Sequence, residues 1–178
     1  SNTGHCLQAD MDRLPFTEAS FDRVLSNLSI QWSKDVSALM AACYALLKPG
    51  GKLSFSTVLP GSLKEITRAW QGIDSKQHVH EFSSSEYLRQ QAEAAGYLVS
   101  RWEPRNYRQE FTSARDLLAS VSGIGAGNHR IDRPTGLLGR QRFSRLLEEV
   151  TAQADESGTI CLSYEILLAE IHKPLVDE

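Results

Sequence analysis

One stretch constrains the fold more than any other: residues 10–57 read as an extended run, a helix and a second extended run, in that order. The runs at 23–28 and 52–57 are short and rich in apolar residues. Between them Val36, Leu39, Met40, Cys43, Leu46 and Leu47 recur at helical spacing. Ser33 is placed to cap the start of that helix, Lys48 to meet its negative end, and Pro49-Gly50-Gly51 to stop it. Strand, crossover helix and strand predict two parallel strands joined by a right-handed connection. Ligands of such sheets gather beyond the carboxyl ends of the strands. Asp10 and Asn27 both fall at such ends.

The 178 residues suffice for one sizeable core. A net charge of −3 gives no reason to expect nucleic acid or a membrane surface as a partner. The longest apolar stretches are broken by charges such as Glu165 and Glu170, so none reads as a span. Cys6, Cys43 and Cys161 fit neither a zinc spacing nor a disulfide framework, which points to a reducing cytoplasm.

Along the rest of the chain, residues 5–9 form a strand candidate ending at Asp10, and 14–20 a turn-rich loop. A helix is expected over 63–73, a polar connector over 75–82, and a second helix over 87–95, opened by Ser83-Ser84-Ser85-Glu86 and closed by Gly96. Residues 97–111 read as a long strand bent near Pro104, and Thr112 as the cap of a helix reaching Val121. A glycine-rich loop at 123–139, a helix at 140–153 and a final strand at 159–172 follow. The two long strands are natural antiparallel partners.

Asp10-Met11 before Leu14-Pro15-Phe16, Ser20-Phe21-Asp22 leading into a strand, and Leu47-Lys48-Pro49-Gly50-Gly51 occur in that order. Together they resemble the class I S-adenosylmethionine (SAM) methyltransferases. The resemblance implies an α/β fold: a Rossmann-like parallel sheet with helices on both faces and a C-terminal antiparallel hairpin, in strand order 3-2-1-4-5-7-6. A narrower likeness rests on Ser26-Asn27-Leu28-Ser29-Ile30-Gln31-Trp32, Gly61-Ser62-Leu63 with Ala69-Trp70, Gly123-Ile124-Gly125-Ala126 with His129, and Leu162-Ser163-Tyr164-Glu165. These residues resemble BioC, the malonyl-acyl carrier protein O-methyltransferases of biotin synthesis. That family methylates the free carboxylate of a malonyl thioester. The family's glycine-rich cofactor loop and its strands 1 and 2 would precede Asp10 and do not occur in this sequence. Residues 1–178 are therefore expected to be the C-terminal two-thirds of one methyltransferase domain, with a substrate-side insertion at about 112–157. The strand at 23–28 is then expected to present a free edge, open to self-association.

The resemblance implies SAM as cofactor, with the Asp10 carboxylate accepting from the adenine amine, the Met11 amide at the ring edge and Asn27 near the methionine half. Asp10 read alone is equally an ordinary loop aspartate capping nearby amides, and Asn27 a strand-terminal turn former. His78 and His80 beside Glu81 have no third ligand at a recognisable spacing, so they read as a polar loop over a pocket rather than a metal site. Trp32 and Trp70 suit either a pocket wall or the core. Residues 129–145 hold five arginines and one acid, Asp132. Arg130 and Arg133, with His129, are candidates for the substrate carboxylate, since a guanidinium fork matches its geometry. Arg140, Arg142 and Arg145 are candidates for docking an acidic carrier protein, with Arg142 and Arg145 as neighbours and Arg140 off their side. All could equally be solvated. No general base is expected. A malonyl carboxylate is already ionised, so positioning residues suffice and no residue is assigned a catalytic role. Two other readings stay open: a methyltransferase for another small molecule, and a non-catalytic methyltransferase-like module. A nicotinamide dehydrogenase shares the doubly wound sheet but gives no reason for Leu47-Lys48-Pro49-Gly50-Gly51 or the terminal hairpin.

Overall fold

In the computed structural model, which describes residues 4–74, 78–123 and 137–175, the organising stretch forms β1 (Phe21–Asn27), α1 (Val36–Leu46) and β2 (Leu47–Val58). β1 and β2 are parallel, from Arg23 opposite Lys52 to Asn27 opposite Ser56, with a register shift between Phe21 and Arg23. α1 buries Val36, Leu39, Met40, Cys43 and Leu46, the face marked by the periodicity. Its two ends differ from expectation. Asp35, not Ser33, is the cap, its Oδ1 accepting from the Ala38 amide at 3.0 Å. Ser33 instead donates to Asp12 Oδ1 at 2.6 Å.

The helix stops at Leu46, and Lys48-Pro49-Gly50-Gly51 already lie in β2. Lys48 pairs with Asp22 at 2.9 Å on the surface. The cation at the helix C-terminus comes from far along the chain: Lys173 Nζ donates to the carbonyls of Tyr44 (3.1 Å) and Leu47 (2.9 Å) and stands 4.6 Å from the Tyr44 ring centroid. The glycines serve the return of the chain here. Gly50, at φ 76°, donates its amide to Lys173 O, and Lys173 N donates to Gly51 O. A Cβ at Gly51 would stand 2.8 Å from the Lys48 carbonyl.

The remaining elements are α2 (Lys64–Gln71), α3 (Ser85–Ala94), β3 (Leu98–Phe111), α4 (Ala114–Gly123), α5 (Leu137–Thr151) and β4 (Ile160–His172). The sheet order is β1-β2-β4-β3, which is the 4-5-7-6 part of the order implied by the resemblance. β4 is antiparallel to β2, from Lys52 opposite His172 to Val58 opposite Ile166. Ser100 meets His172, and the Asn106 amide meets the Glu165 carboxylate, so β3 and β4 run in opposite senses. β1 is an edge of the described sheet, and its Leu25 is 75% exposed. Residues 5–9 do not form the expected strand. They are exposed and join no ladder, and an extended segment without a paired neighbour has little to hold it.

α3 starts at Ser85, two residues before the expected 87 but within the expected capping run, Ser84 Oγ accepting from the Tyr87 amide at 3.1 Å. It ends in a Schellman turn: Tyr97 N donates to Ala92 O and Gly96 N to Glu93 O, with Gly96 at φ 96°. α4 is capped by Ser113 rather than Thr112, the Asp116 amide donating to Ser113 Oγ at 3.4 Å. Gly123 ends α4 and residues 137–139 open α5, so both ends of the expected loop are helical.

The chain divides into two compact units. Unit 1 comprises Ser1–Leu59, Ser83–Arg105 and Ile166–Glu178; unit 2 comprises Pro60–Phe82 and Asn106–Glu165. The core of unit 1 gathers Met40, Leu47, Leu53, Leu88, Leu167 and Ile171, all essentially inaccessible to water. In unit 2 Leu63, Leu117, Val150 and Leu162 are equally buried. Unit 2 also buries a carboxylate. Glu65, only 8% exposed, accepts from Ser163 N (3.0 Å) and Ser163 Oγ (2.7 Å). Beside it Leu63 N donates to Ser163 O, Ser62 Oγ donates to Glu165 O, and Glu165 N donates to Ser62 Oγ. Leu63 takes φ 56°, a left-handed conformation costly for a residue with a side chain, and these bonds hold it there.

Candidate functional site

The carboxyl ends of β1 and β2 carry a hydrogen-bonded polar cluster in unit 1. Asn27, the last residue of β1, accepts on Oδ1 from Ser56 Oγ at 2.6 Å. Leu28 follows at φ 48°, pinned by its amide on Ser56 O (3.0 Å) and Ser56 Oγ (3.1 Å). Its carbonyl accepts from Gln31 Nε2 at 2.7 Å, and Gln31 Oε1 accepts from Thr57 Oγ1 at 3.1 Å. Ser26 and Ser29 share a bond of 2.7 Å. The left-handed Leu28 turns the chain sharply away from the strand and leaves Asn27 exposed at its tip. Among the described residues the Asn27 amide nitrogen makes no hydrogen bond, so it can donate to a ligand.

Asp10 belongs to a tight turn. Its Oδ1 accepts from the Asp12 amide (3.0 Å) and its carbonyl from the Arg13 amide (3.0 Å). This is the Asx turn of an ordinary loop aspartate, yet the side chain is exposed and, among the described residues, only Oδ1 is engaged. Asp12 ties this turn to the loop after β1, accepting from Ser33 Oγ at 2.6 Å and the Lys34 amide at 3.2 Å. Those two bonds, Ser33 first, hold the Asp12 carboxyl below its ordinary range. The Asp10 turn is thereby bonded to the loop that follows Asn27. Met11, between the two aspartates, is half-buried.

Unit 2 contains a cleft of about 470 Å³. Its wall is built at the end of α2, where Trp70 stacks on His78 with ring centroids 3.7 Å apart and planes 11° from parallel. His78 Nε2 bonds Asp74 Oδ1 at 2.6 Å, and both side chains are nearly buried, at 12% and 13% exposure. Arg142 of α5 lies 3.8 Å from Asp74 Oδ2. His80 packs edge-on against Phe82, and Thr67, Gln71 and Glu81 complete the polar lining. The sequence placed Trp70, His78 and His80 at a pocket or in a core; all three line this cleft. Trp32, by contrast, is 38% exposed in unit 1. Among the described residues no group of three or more His, Cys, Asp or Glu side chains is arranged to hold a metal. No described helix is long and apolar enough to cross a membrane.

The arginines sort differently from expectation. Arg140 and Arg145 line one shallow depression of α5 together with Gln141 and Ser144, whereas Arg142 turns to Asp74. The spacing argument had paired Arg142 with Arg145 and set Arg140 apart. His129, Arg130 and Arg133 lie outside the described residues. Cys43 is buried, and burial pushes its thiol up to about 11, so it stays protonated and serves packing. Sequence reasoning missed Asp12, Ser56, Thr57 and Asp74. Their importance comes from partners across the fold or from a backbone turn that no local pattern reveals.

The sheet order and the polar strand ends define a class of protein. The Methyltransferase domain family matches residues 1–55. Among solved structures, a candidate methyltransferase of Bacillus halodurans C-125 superposes with TM-score 0.61 at 14% identity, covering 95% of this chain and 77% of that one. The YcgJ protein of Bacillus subtilis does so with TM-score 0.56 at 16% identity, covering 94% and 70%. The chain has the class I methyltransferase fold.

Sequence relatives narrow this further. The chain is 41% identical over 152 residues to the malonyl-acyl-carrier protein O-methyltransferase of Hahella chejuensis, covering 84% of this chain and 53% of that protein. It is 33% identical to the Yersinia pestis protein of the same name, covering 94% and 60%. It is 35% identical to the biotin biosynthesis bifunctional protein BioHC of Teredinibacter turnerae, covering 93% and 29%. The chain is thus a homologue of the malonyl-acyl-carrier protein O-methyltransferases over most of its own length, and it spans between about half and two-thirds of theirs.

Proposed function

We propose that this chain is part of a cytoplasmic enzyme of biotin synthesis that uses SAM to methylate the free carboxylate of a malonyl thioester carried on acyl carrier protein. The observation that carries this reading is the 41% identity to a relative of that name over 84% of the chain. The structure supports it at the motifs. Gly61-Ser62-Leu63 and Leu162-Ser163-Tyr164-Glu165, far apart in sequence, are hydrogen-bonded to each other in unit 2.

The strand ends of unit 1 fit the cofactor chemically. An exposed carboxylate with a free oxygen at Asp10, the adjacent Met11 amide and the exposed Asn27 amide offer an acceptor and donors on a polar, strained platform. When bound, SAM supplies an electrophilic methyl group on sulfur. Asp10 would accept from the adenine amine, the Met11 amide would meet the ring edge and Asn27 would donate toward the methionine half. No proton is exchanged, so the protein has to align the acceptor oxygen and exclude water. His129, Arg130 and Arg133 are kept as candidates for binding the substrate. Arg140 and Arg145, with Arg142 further round the helix, are candidates for docking the acidic carrier. Residues at about 112–157 form the substrate-side insertion, and the rest belongs to one methyltransferase domain. Self-association through the β1 edge is the expected behaviour of any species in which that edge is left bare.

The test is methyl transfer by the full-length protein from labelled SAM to malonyl-, succinyl- and acetyl-acyl carrier protein, followed by mass spectrometry of the acyl group. A methyl ester on malonyl carrier and no product on acetyl carrier is expected. A protein that binds SAM yet leaves malonyl carrier unmodified would overturn the reading.

A further inference from the structure

We propose that Ser56 is a positioning residue that locks the Asn27 carboxamide with its nitrogen outward, so that the tip of β1 reads the carboxylate, rather than the ammonium, of the amino-acid end of the cofactor. This rests on the SAM site proposed above and names the group that Asn27 meets there. Every residue involved lies in unit 1.

The orientation follows from the bonds of one hydroxyl. Ser56 lies in β2 and is only 8% exposed, so its hydroxyl hydrogen needs an acceptor within the protein. The Leu28 amide hydrogen points at Ser56, shared between the carbonyl oxygen (3.0 Å) and Oγ (3.1 Å). On that side Oγ is an acceptor, and its own hydrogen is left for Asn27, 2.6 Å away. That separation is ordinary for O–H···O and shorter than the usual N–H···O range. Turning the amide round would aim two donors, from Leu28 and Asn27, at Oγ and leave the buried hydroxyl hydrogen without an acceptor. Asn27 Oδ1 therefore faces Ser56, and Nδ2 sits on the exposed side with no hydrogen bond among the described residues.

The Leu28 turn cannot take over this task. Its amide is engaged by Ser56, and its carbonyl accepts from Gln31 Nε2. Gln31 Oε1 is held in turn by Thr57 Oγ1, and Thr57 is 1% exposed. Two adjacent hydroxyls of β2 thus set the sense of two amides beyond β1, and Asn27 is the exposed one of the two.

The amino-acid end of SAM offers two charged groups of opposite hydrogen-bonding sense. A carboxylate accepts and an ammonium donates, so an outward NH2 group fits the first and not the second. Left to rotate, the same amide would serve either. Ser56 supplies the choice without touching the ligand.

The experiment measures binding to the full-length protein by calorimetry, with S-adenosylhomocysteine and with its decarboxylated analogue, which keeps the ammonium and lacks the carboxylate. The wild type should bind the analogue about tenfold to hundredfold more weakly, the loss of one hydrogen bond to a charged group. Ser56→Ala should weaken S-adenosylhomocysteine about threefold to tenfold and leave the analogue unchanged. The turn itself survives this change, because the Leu28 amide keeps the Ser56 carbonyl at 3.0 Å. Ser56→Thr retains the hydroxyl and should restore the wild-type preference. Asn27→Asp keeps the acceptor for Ser56 but replaces the outward donors by a carboxylate oxygen, so it should narrow the preference for S-adenosylhomocysteine about tenfold or more. It alters an exposed side chain and reads the proposal even where Ser56→Ala fails to fold. Equal losses on both ligands in Ser56→Ala, or a wild-type preference in Asn27→Asp, overturn the proposal and leave the cofactor reading intact. A wild-type protein that binds neither ligand overturns that reading and the proposal with it.

Discussion

Replacing Glu65 by alanine tests whether the buried carboxylate fastens α2 to β4. The wild-type side chain is 8% exposed and accepts two hydrogen bonds from Ser163, at 3.0 and 2.7 Å. Hydrogen bonds to a charged group contribute about 1.5–3 kcal/mol net, and a buried amide left without a partner costs about 1–3 kcal/mol. In Glu65→Ala the Ser163 amide loses its acceptor inside unit 2, while Ser163 Oγ can turn to another partner. The expected destabilisation is therefore about 2–4 kcal/mol. Glu65→Gln keeps the shape. Its Oε1 can accept from the amide and its Nε2 can donate to Ser163 Oγ, so its cost should be about 1 kcal/mol. Urea unfolding would be followed by the fluorescence of Trp70, which lies in the same unit, with Trp32 and Trp102 both replaced by phenylalanine as the common background. Ser163→Ala closes the double-mutant cycle and should show a coupling of about 1 kcal/mol with Glu65, since only the hydroxyl bond is removed. If alanine and glutamine at position 65 unfold at the same urea concentration, the carboxylate is not the fastener and the reasoning fails.

Four further outcomes follow from the same structure. Asp10→Ala in the full-length enzyme should weaken SAM binding by about 1–3 kcal/mol for one lost hydrogen bond, and an unchanged dissociation constant by calorimetry would return Asp10 to a purely local turn role. Reversing Arg140 and Arg145 to glutamate should lower kcat/KM for malonyl carrier protein about tenfold and flatten its salt dependence, while activity on malonyl-pantetheine stays level; equal loss on both substrates would count against a docking role. The exposed Glu103 carboxyl is held down to about 2, first by its hydrogen bond from Arg101 and then by that from Arg105; a depressed carboxyl contributes its stabilisation above the ordinary 4.5 and loses it as pH falls through about 2, so NMR should find it ionised at pH 3, and neutralising both arginines should bring its titration up toward the ordinary value. Leu167→Ala in the core of unit 1, at 0% exposure, should cost about 2–5 kcal/mol in chemical unfolding, and a value near zero would mean that unit 1 does not unfold cooperatively around that residue.

Local pattern determined much of this protein. The helical spacing of Val36, Leu39, Met40 and Cys43 marked the buried face of α1, because each position repeats its environment every turn whatever lies opposite. Ser84 and Gly96 bounded α3, because caps and left-handed turns are decided within a few residues. The sheet order followed from the resemblance, and its parallel pair from strand–helix–strand connection alone. What the sequence left open is long-range pairing. Local pattern offered Ser33 as the cap and Lys48 as the cation of α1, and only the packed chain selected Asp35 and the distant Lys173 instead. Residues 5–9 have the composition of a strand but no ladder to join, and a strand exists only through its neighbours. The candidate sites divide the same way. Asp10, Asn27, Trp70 and His78 were visible as residue types at telling positions. That Asp12 anchors one turn, that Leu28 is forced left-handed over Ser56, and that Asp74 orients His78 against Trp70 are facts of tertiary structure. They depend on distances of a few ångströms between groups whose separation along the chain carries no signal.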